Sequence, residues 1–284
     1  MTSFALALSI SVEERLERMR SNILRWGALP RLADKPPDLR YWGLACYGPS
    51  LLATWEALRN KAIISVSGAH DFLIERGLVP TYHVECDPRP HKAAFLRNPH
   101  PDITYCIASC CHPTIFEQLE GHKVLLWHLA EEPVEDMRVL LRELDIGSKL
   151  VGGGSTVGLR AIVVADVLGV RDMDIYGMDC SYNEGAEWAG THSGEAHVGR
   201  FKNRVAGRVF ETSTTMYNAA KDFFFTFEGT KLRGCSYSLH GDGMLNAIVQ
   251  EVAAGRADKK DMFLDPVDAT ILMVDVPDEE LKAA

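Results

Sequence analysis

The chain has no apolar run near the roughly 20 residues that a membrane-spanning helix needs. Its apolar stretch 1–10 has no basic segment before it, so it does not read as a secretory leader. The expectation is a soluble, cytoplasmic protein. Positive charge is scarce. Lys and Arg number 30 against 39 Asp and Glu, a net −9, which argues against a general nucleic-acid-binding surface. No C-x-x-C pair occurs among Cys46, Cys86, Cys106, Cys110, Cys111, Cys180 and Cys235. Several of these lie in apolar runs, so buried, reduced thiols are expected. The group Cys106, Cys110, Cys111 and His112 matches no familiar zinc spacing, and adjacent cysteines ligate one metal poorly. Also missing are the dinucleotide fingerprint G-x-G-x-x-G, the P-loop G-x-x-x-x-G-K-[ST] and the nucleophile elbow G-x-S-x-G. Serine hydrolase chemistry therefore has no support. No internal repeat or low-complexity segment is evident.

With 284 residues and 46% hydrophobic content, the chain can bury a full core. The first 39 residues read as a helical arm and linker. Ser11 and Glu14 have capping-box spacing, and Leu16, Met19, Ile23 and Trp26 form a stripe suited to core or dimer contact. Residues 40–255 alternate short apolar strand candidates with helix candidates. The strand candidates are 42–47, 62–66, 81–86, 103–108, 123–127, 174–176 and 231–236; both faces of a parallel sheet would be covered. The fold class expected is α/β, a mostly parallel Rossmann-like sheet flanked by helices in one main domain. The segment 183–208 is polar and lacks periodicity, as a functional loop would. The tail 256–284 could add an edge strand or pack on a partner subunit of a homo-oligomer.

Two glycine turns stand where a strand should run into a helix: Gly48-Pro49-Ser50-Leu51, and Gly152-Gly153-Gly154-Ser155-Thr156. Glycine lets backbone N–H groups approach a ligand, and a helix N-terminus favours negative charge. The pair suggests a site for a nucleotide phosphate or a nucleotide-linked donor. In open α/β sheets, ligands bind beyond the carboxyl ends of the strands. Polar residues following strand candidates include Ser67 and His70, Asp87 and Arg89, Ser109 and His112, His128, and Asp179, Ser181 and Tyr182. Asp87 could bind Mg²⁺, hold a ribose hydroxyl or cap the next turn. Asp179 ends a glycine-terminated strand and should point into the cleft. His192 and His197 lie in the polar loop, where a histidine suits proton transfer near neutral pH. Lys202, Arg204 and Arg208 could neutralise a diphosphate or sugar acid, or form a solvated basic run. Asp242 could be the N-cap of a following helix.

Taken in order, four motifs resemble the 6-hydroxymethylpterin diphosphokinase-like family. They are Gly48-Pro49-Ser50-Leu51, the run from Gly77-Leu78-Val79-Pro80 to Asp87, Gly153-Gly154-Ser155-Thr156-Val157, and Gly177-Met178-Asp179. That family includes motility accessory factors of flagellin glycosylation, and its fold is similar to that of bacterial sialyltransferases. The sialyltransferase likeness implies a CMP-sugar donor at the Gly48, Pro49, Ser50 turn, with Tyr182 beside it; Ser67, Asp87, Gly153, Gly154, Ser155 and Thr156 join them as donor-binding candidates through their places at the strand ends and the second glycine turn. It implies catalytic roles for Asp179 and for His192 as base, and no required cofactor. The diphosphokinase likeness implies ATP with Mg²⁺, held by Asp87 and Asp179. The first reading is thus a glycosyltransferase using a CMP-linked acidic sugar and an acceptor of unspecified class. The alternatives are the diphosphokinase and a non-catalytic nucleotide-binding or assembly module.

Overall fold

The computed structural model describes residues 10–144, 147, 149–190 and 199–257. Its strands are β1 (Trp42–Ala45), β2 (Ala62–Val66), β3 (Tyr82–Glu85), β4 (Thr104–Ala108), β5 (Lys123–Leu129), β6 (Leu150–Val151), β7 (Asp172–Tyr176), β8 (Arg200–Val205), β9 (Arg208–Ser213) and β10 (Ser236–His240). Its helices are α1 (Val12–Trp26), α2 (Leu51–Thr54), α3 (Ala69–Ile74), α4 (Pro113–Gln118), α5 (Val134–Glu143), α6 (Val157–Val167), α7 (Thr214–Lys231) and α8 (Met244–Ala253). Short 3₁₀ turns cover Trp55–Leu58 and Pro90–Phe95.

Eight strands form one parallel sheet in the order β10-β7-β1-β2-β3-β4-β5-β6. Leu44 pairs with Ile64 on one side and Ile175 on the other. All of β1 is buried, which explains why its sequence is a continuous apolar run rather than an alternation. Successive connections from β1 run toward β6. The chain then returns through α6 and continues outward from β7 to β10. The direction of winding therefore reverses between β1 and β7, and sheets of this kind bind ligands beyond the carboxyl ends of the strands at such a reversal. This is a Rossmann-like α/β domain.

Helix α6 is apolar around most of its circumference, as a helix buried between sheet and neighbours must be. It packs over β2 and β3 and against α7. The N-terminal helix is built into the same unit. Met19 and Ile23 are buried, and Asn22 Nδ2 donates to the carbonyls of Ser109 and Cys111, each at 2.8 Å. Ser11 Oγ caps the helix from Glu14 N, while the Glu14 carboxylate turns to Arg18. The linker that follows runs along the sheet, with Leu32 N donating to Leu126 O and Asp38 N to Gly169 O.

Two expectations are revised. The last strand is not 231–236 but Ser236–His240. Helix α7 continues to Lys231, and Gly234 at φ +84° turns the chain before pairing with β7 can begin. The polar stretch 183–208 is also not all loop. Its second half enters a hairpin of β8 and β9, closed by Ala206 and Gly207, both at positive φ as a two-residue primed turn requires. Lys202 and Arg204 alternate with buried Asn203 and Val205, so the basic run faces solvent. His192 and His197, and the tail from 258 onward, lie outside the described residues.

Candidate functional site

The turn after β1 is held by the end of β7. Gly48 N donates to Gly177 O at 2.8 Å, and Ser50 N donates to Asp179 Oδ2 at 2.9 Å. A Cβ on Gly48 would overlap both Gly177 O and the Asp179 carboxylate. The need for glycine here thus comes from the close approach of the two turns. A third turn closes on them from β10. A side chain at Gly241, which has φ +109°, would strike Ser50 Oγ, and one at Gly243 would strike Asp179. Asp242 does not cap α8. Gly243 holds the cap position, and the Met244 N–H is accepted by Ser181 Oγ at 3.0 Å.

Asp179 is 5% exposed at this junction. Burial raises its pKa to about 6; the Ser50 hydrogen bonding opposes the rise, and the nearby Asp242 charge adds to it. Asp87 behaves oppositely. Burial again favours its neutral form, but Arg89 and Lys92 outweigh that and bring it to about 2. Arg89 donates from Nε at 2.9 Å to Oδ1 and from Nη2 at 2.5 Å to Oδ2, while Lys92 Nζ lies 3.3 Å from Oδ2. Beneath them the buried Glu85 carboxyl is raised by desolvation, with Lys92 pulling the other way. It accepts the backbone N–H groups of Cys86 and Asp87.

Asp179, Asp87, Arg89 and Lys92 line one cavity of about 390 Å³ at the carboxyl ends of β1, β3 and β7. Gly48, Pro49, Ser67, Asp87, Ser155, Thr156 and Asp179 all reach it. Ser50 lies buried beneath it, against Asp179 and Gly241. Tyr182 lines an adjoining chamber of about 290 Å³ that shares Pro49, Asp179 and Ser181 with the first. Gly153 and Gly154 do not line either space. A Cβ on Gly153 would lie 2.9 Å from Arg160 Cα, and one on Gly154 would meet Leu159 and Asp222, so helix packing sets these glycines. The other polar residues expected after strands serve the fold, and all but the half-buried His112 are internal. Ser109 Oγ bonds His128 Nδ1 at 2.9 Å, His70 bridges Asp71 and Tyr105, and His112 caps α4. Burial lowers His128 to about 4, so it stays neutral inside the fold.

The cavity also contains residues that sequence reasoning passed over: Arg15, Lys92, Glu131, Arg160, Glu187 and Trp188. Arg15 comes from the N-terminal helix and lies 3.1 Å from Glu131. Arg160 lies on the first turn of α6, 3.7 Å from the same carboxylate. A lone arginine within an apolar helix was a readable signal. Arg15, four residues before the buried Met19, was a weaker one.

Fold and cavity together define a Rossmann-like α/β protein with a charged cavity at its switch point. The chain belongs to the 6-hydroxymethylpterin diphosphokinase MptE-like family, whose model matches residues 44–185. Curated protein sequences give no match. Among solved structures, the MAf glycosyltransferase from Magnetospirillum magneticum AMB-1 is similar, with a TM-score of 0.60 and 16% identity. The alignment covers 86% of this chain and 41% of that protein, so the chain spans about two fifths of that protein's length. At that identity the likeness is one of fold. No helix among the described residues is long and apolar enough to cross a membrane.

Proposed function

We propose that the protein is a nucleotide-dependent glycosyltransferase that takes a CMP-linked acidic sugar in the 390 Å³ cavity. One observation carries the reading: the Gly48 turn, Asp179 and the capped N-terminus of α6 converge on a single chamber at the β1–β7 reversal. The chamber is lined by Arg15, Arg89, Lys92 and Arg160 together with Asp87, Glu131, Asp179 and Glu187, and its arginine forks suit the anionic part of such a donor. The turn at Gly48–Ser50 and the Ser155–Thr156 segment would hold the nucleotide. Asp179 fixes the first of these by accepting the Ser50 N–H. In the transfer, the acceptor hydroxyl oxygen bonds to the anomeric carbon. The bond from that carbon to the phosphate oxygen breaks, and CMP leaves with the electron pair. His192 is the proposed acceptor of the hydroxyl proton. The structural neighbour's being a glycosyltransferase supports the same class. A cytoplasmic setting fits the absence of disulfides among all seven cysteines.

Diphosphoryl transfer would need Asp87 and Asp179 free to hold Mg²⁺. Both Asp87 oxygens are engaged by Arg89 and Lys92, and Asp179 gives one oxygen to Ser50. That donor set does not fit a magnesium pair and favours the glycosyltransferase reading. The test is a thermal-shift panel of CMP, CDP, UDP, GDP and ATP, with Mg²⁺ or with EDTA. CMP or CDP at 100 times its dissociation constant should stabilise by about 2.7 kcal/mol in either condition. Stabilisation by ATP alone and only with Mg²⁺, with AMP released, would establish the diphosphokinase instead. No shift with any nucleotide would refute nucleotide dependence.

A further inference from the structure

At one place in the cavity lining two guanidinium groups, those of Arg15 and Arg160, face one carboxylate, Glu131. Arg15 is 1% exposed. Its Nη2 donates to Glu132 O at 2.7 Å, but its Nε and Nη1 are buried without a hydrogen-bond partner. Glu131 Oε2 forms an ion pair with Nη1 at 3.1 Å but makes no hydrogen bond. Arg160 reaches Glu131 Oε1 only at 3.7 Å and Ala130 O at 3.3 Å. A single carboxylate is thus stretched between two buried guanidinium groups. Asp87 cannot make up the difference, since Arg89 and Lys92 hold it. Buried N–H donors on a cation are costly when unpaired, and a second anion would pair them.

We propose that Arg15 and Arg160 form an anion subsite of the cavity, which takes a carboxylate or phosphate of the ligand in the place now held by Glu131. The parts differ in freedom. The Glu131 side chain is 21% exposed and can swing outward, whereas those of Arg15 and Arg160 are 2% and 7% exposed and fixed. Helix α1 holds Arg15 in position through Asn22 and through buried Met19 and Ile23. The planar fork of arginine matches two oxygens of a carboxylate or phosphate at once. Helix α1 therefore supplies a binding residue as well as packing. The subsite rests on the glycosyltransferase reading only for the ligand that would bring the anion.

The test is titration calorimetry with four probes: inorganic pyrophosphate, CMP, free N-acetylneuraminate and cytidine. Arg15→Gln and Arg160→Gln should weaken the anionic probe that uses the subsite by roughly 10- to 100-fold. Glu131→Gln should strengthen it severalfold, because the competing carboxylate is gone. Arg15→Lys keeps the charge, loses the fork and should fall between. A merely structural ion pair would not give opposite signs for Arg15 and Glu131. Effects on pyrophosphate and CMP identify the anion as phosphate; effects on N-acetylneuraminate identify it as the sugar carboxylate. If Arg15→Gln fails to fold, Arg15→Lys and Glu131→Gln decide. CMP binding unchanged in every variant, with no binding of the other anions, overturns the subsite while leaving the nucleotide reading intact. So does weaker or unchanged binding of every anion in Glu131→Gln. Pyrophosphate binding with the expected pattern, but no nucleotide binding, upholds the subsite and removes the nucleotide.

Discussion

Asparagine at position 179 would isolate the energetic consequence of burying a carboxyl at the β1–β7 junction. In the folded protein the Asp179 carboxyl keeps its proton up to about pH 6, against an ordinary value of 3.8. Between these values the folded chain binds more protons than the unfolded one. Stability therefore falls as pH rises across that window, and the loss is complete above about pH 6. A difference of about 2 units at 1.36 kcal/mol each gives roughly 3 kcal/mol. Asparagine does not titrate, and its carbonyl can still accept the Ser50 N–H. Asp179→Asn should therefore be more stable than the wild type at pH 7, by up to roughly 3 kcal/mol. The two should converge near pH 4. With an unfolding entropy of ~2.1 cal/mol/K per residue, that is a rise in Tm of about 5 °C. Urea titrations of both proteins at half-unit steps from pH 4 to 8 would measure the difference directly. A difference independent of pH, or an asparagine variant less stable at pH 7, would refute the argument that burial dominates this site. If the proposed function holds, the more stable variant should be the less active one, since a buried carboxyl is then kept for its chemistry rather than for folding.

Gly48→Ala should destabilise by about 1–3 kcal/mol in urea, because its methyl meets the Gly177 carbonyl and the Asp179 carboxylate. Gly48→Val should fail to accumulate as folded protein, because a branched side chain enlarges the same overlap. Lys61→Ala removes a partner 2.6 Å from the buried Asp174 and leaves it His240 at 3.0 Å. A loss of about 2–4 kcal/mol in the same assay is expected. His192→Ala should lower transfer by roughly 10²–10⁴-fold with unchanged CMP affinity, while His197→Ala changes turnover little. The reverse ranking of the two histidines would show that the base was misassigned.

Some of this protein follows from local sequence alone. The short, unalternating apolar runs at 42–47, 62–66 and 103–108 can be satisfied only by strands covered on both faces, so the parallel sheet was legible. The Ser11 cap was legible too, because a cap is a contact over three residues. So was the gathering of Gly48, Ser50 and Asp179 at one edge, since strand ends collect there in such a sheet. Other features depend on groups far apart in the chain. Gly48 must be glycine because of Asp179, 131 residues later. Nothing local to Arg15 tells it from a surface arginine; Glu131 and Arg160 make it part of a cavity wall. The same holds for acidity. Asp87 and Asp179 look alike in sequence, each closing a strand, yet one is held near 2 and the other raised to about 6. Desolvation acts on both, but only Asp87 has two cations packed against it. Sequence determines which residues can be charged; the tertiary packing decides which of them are compensated.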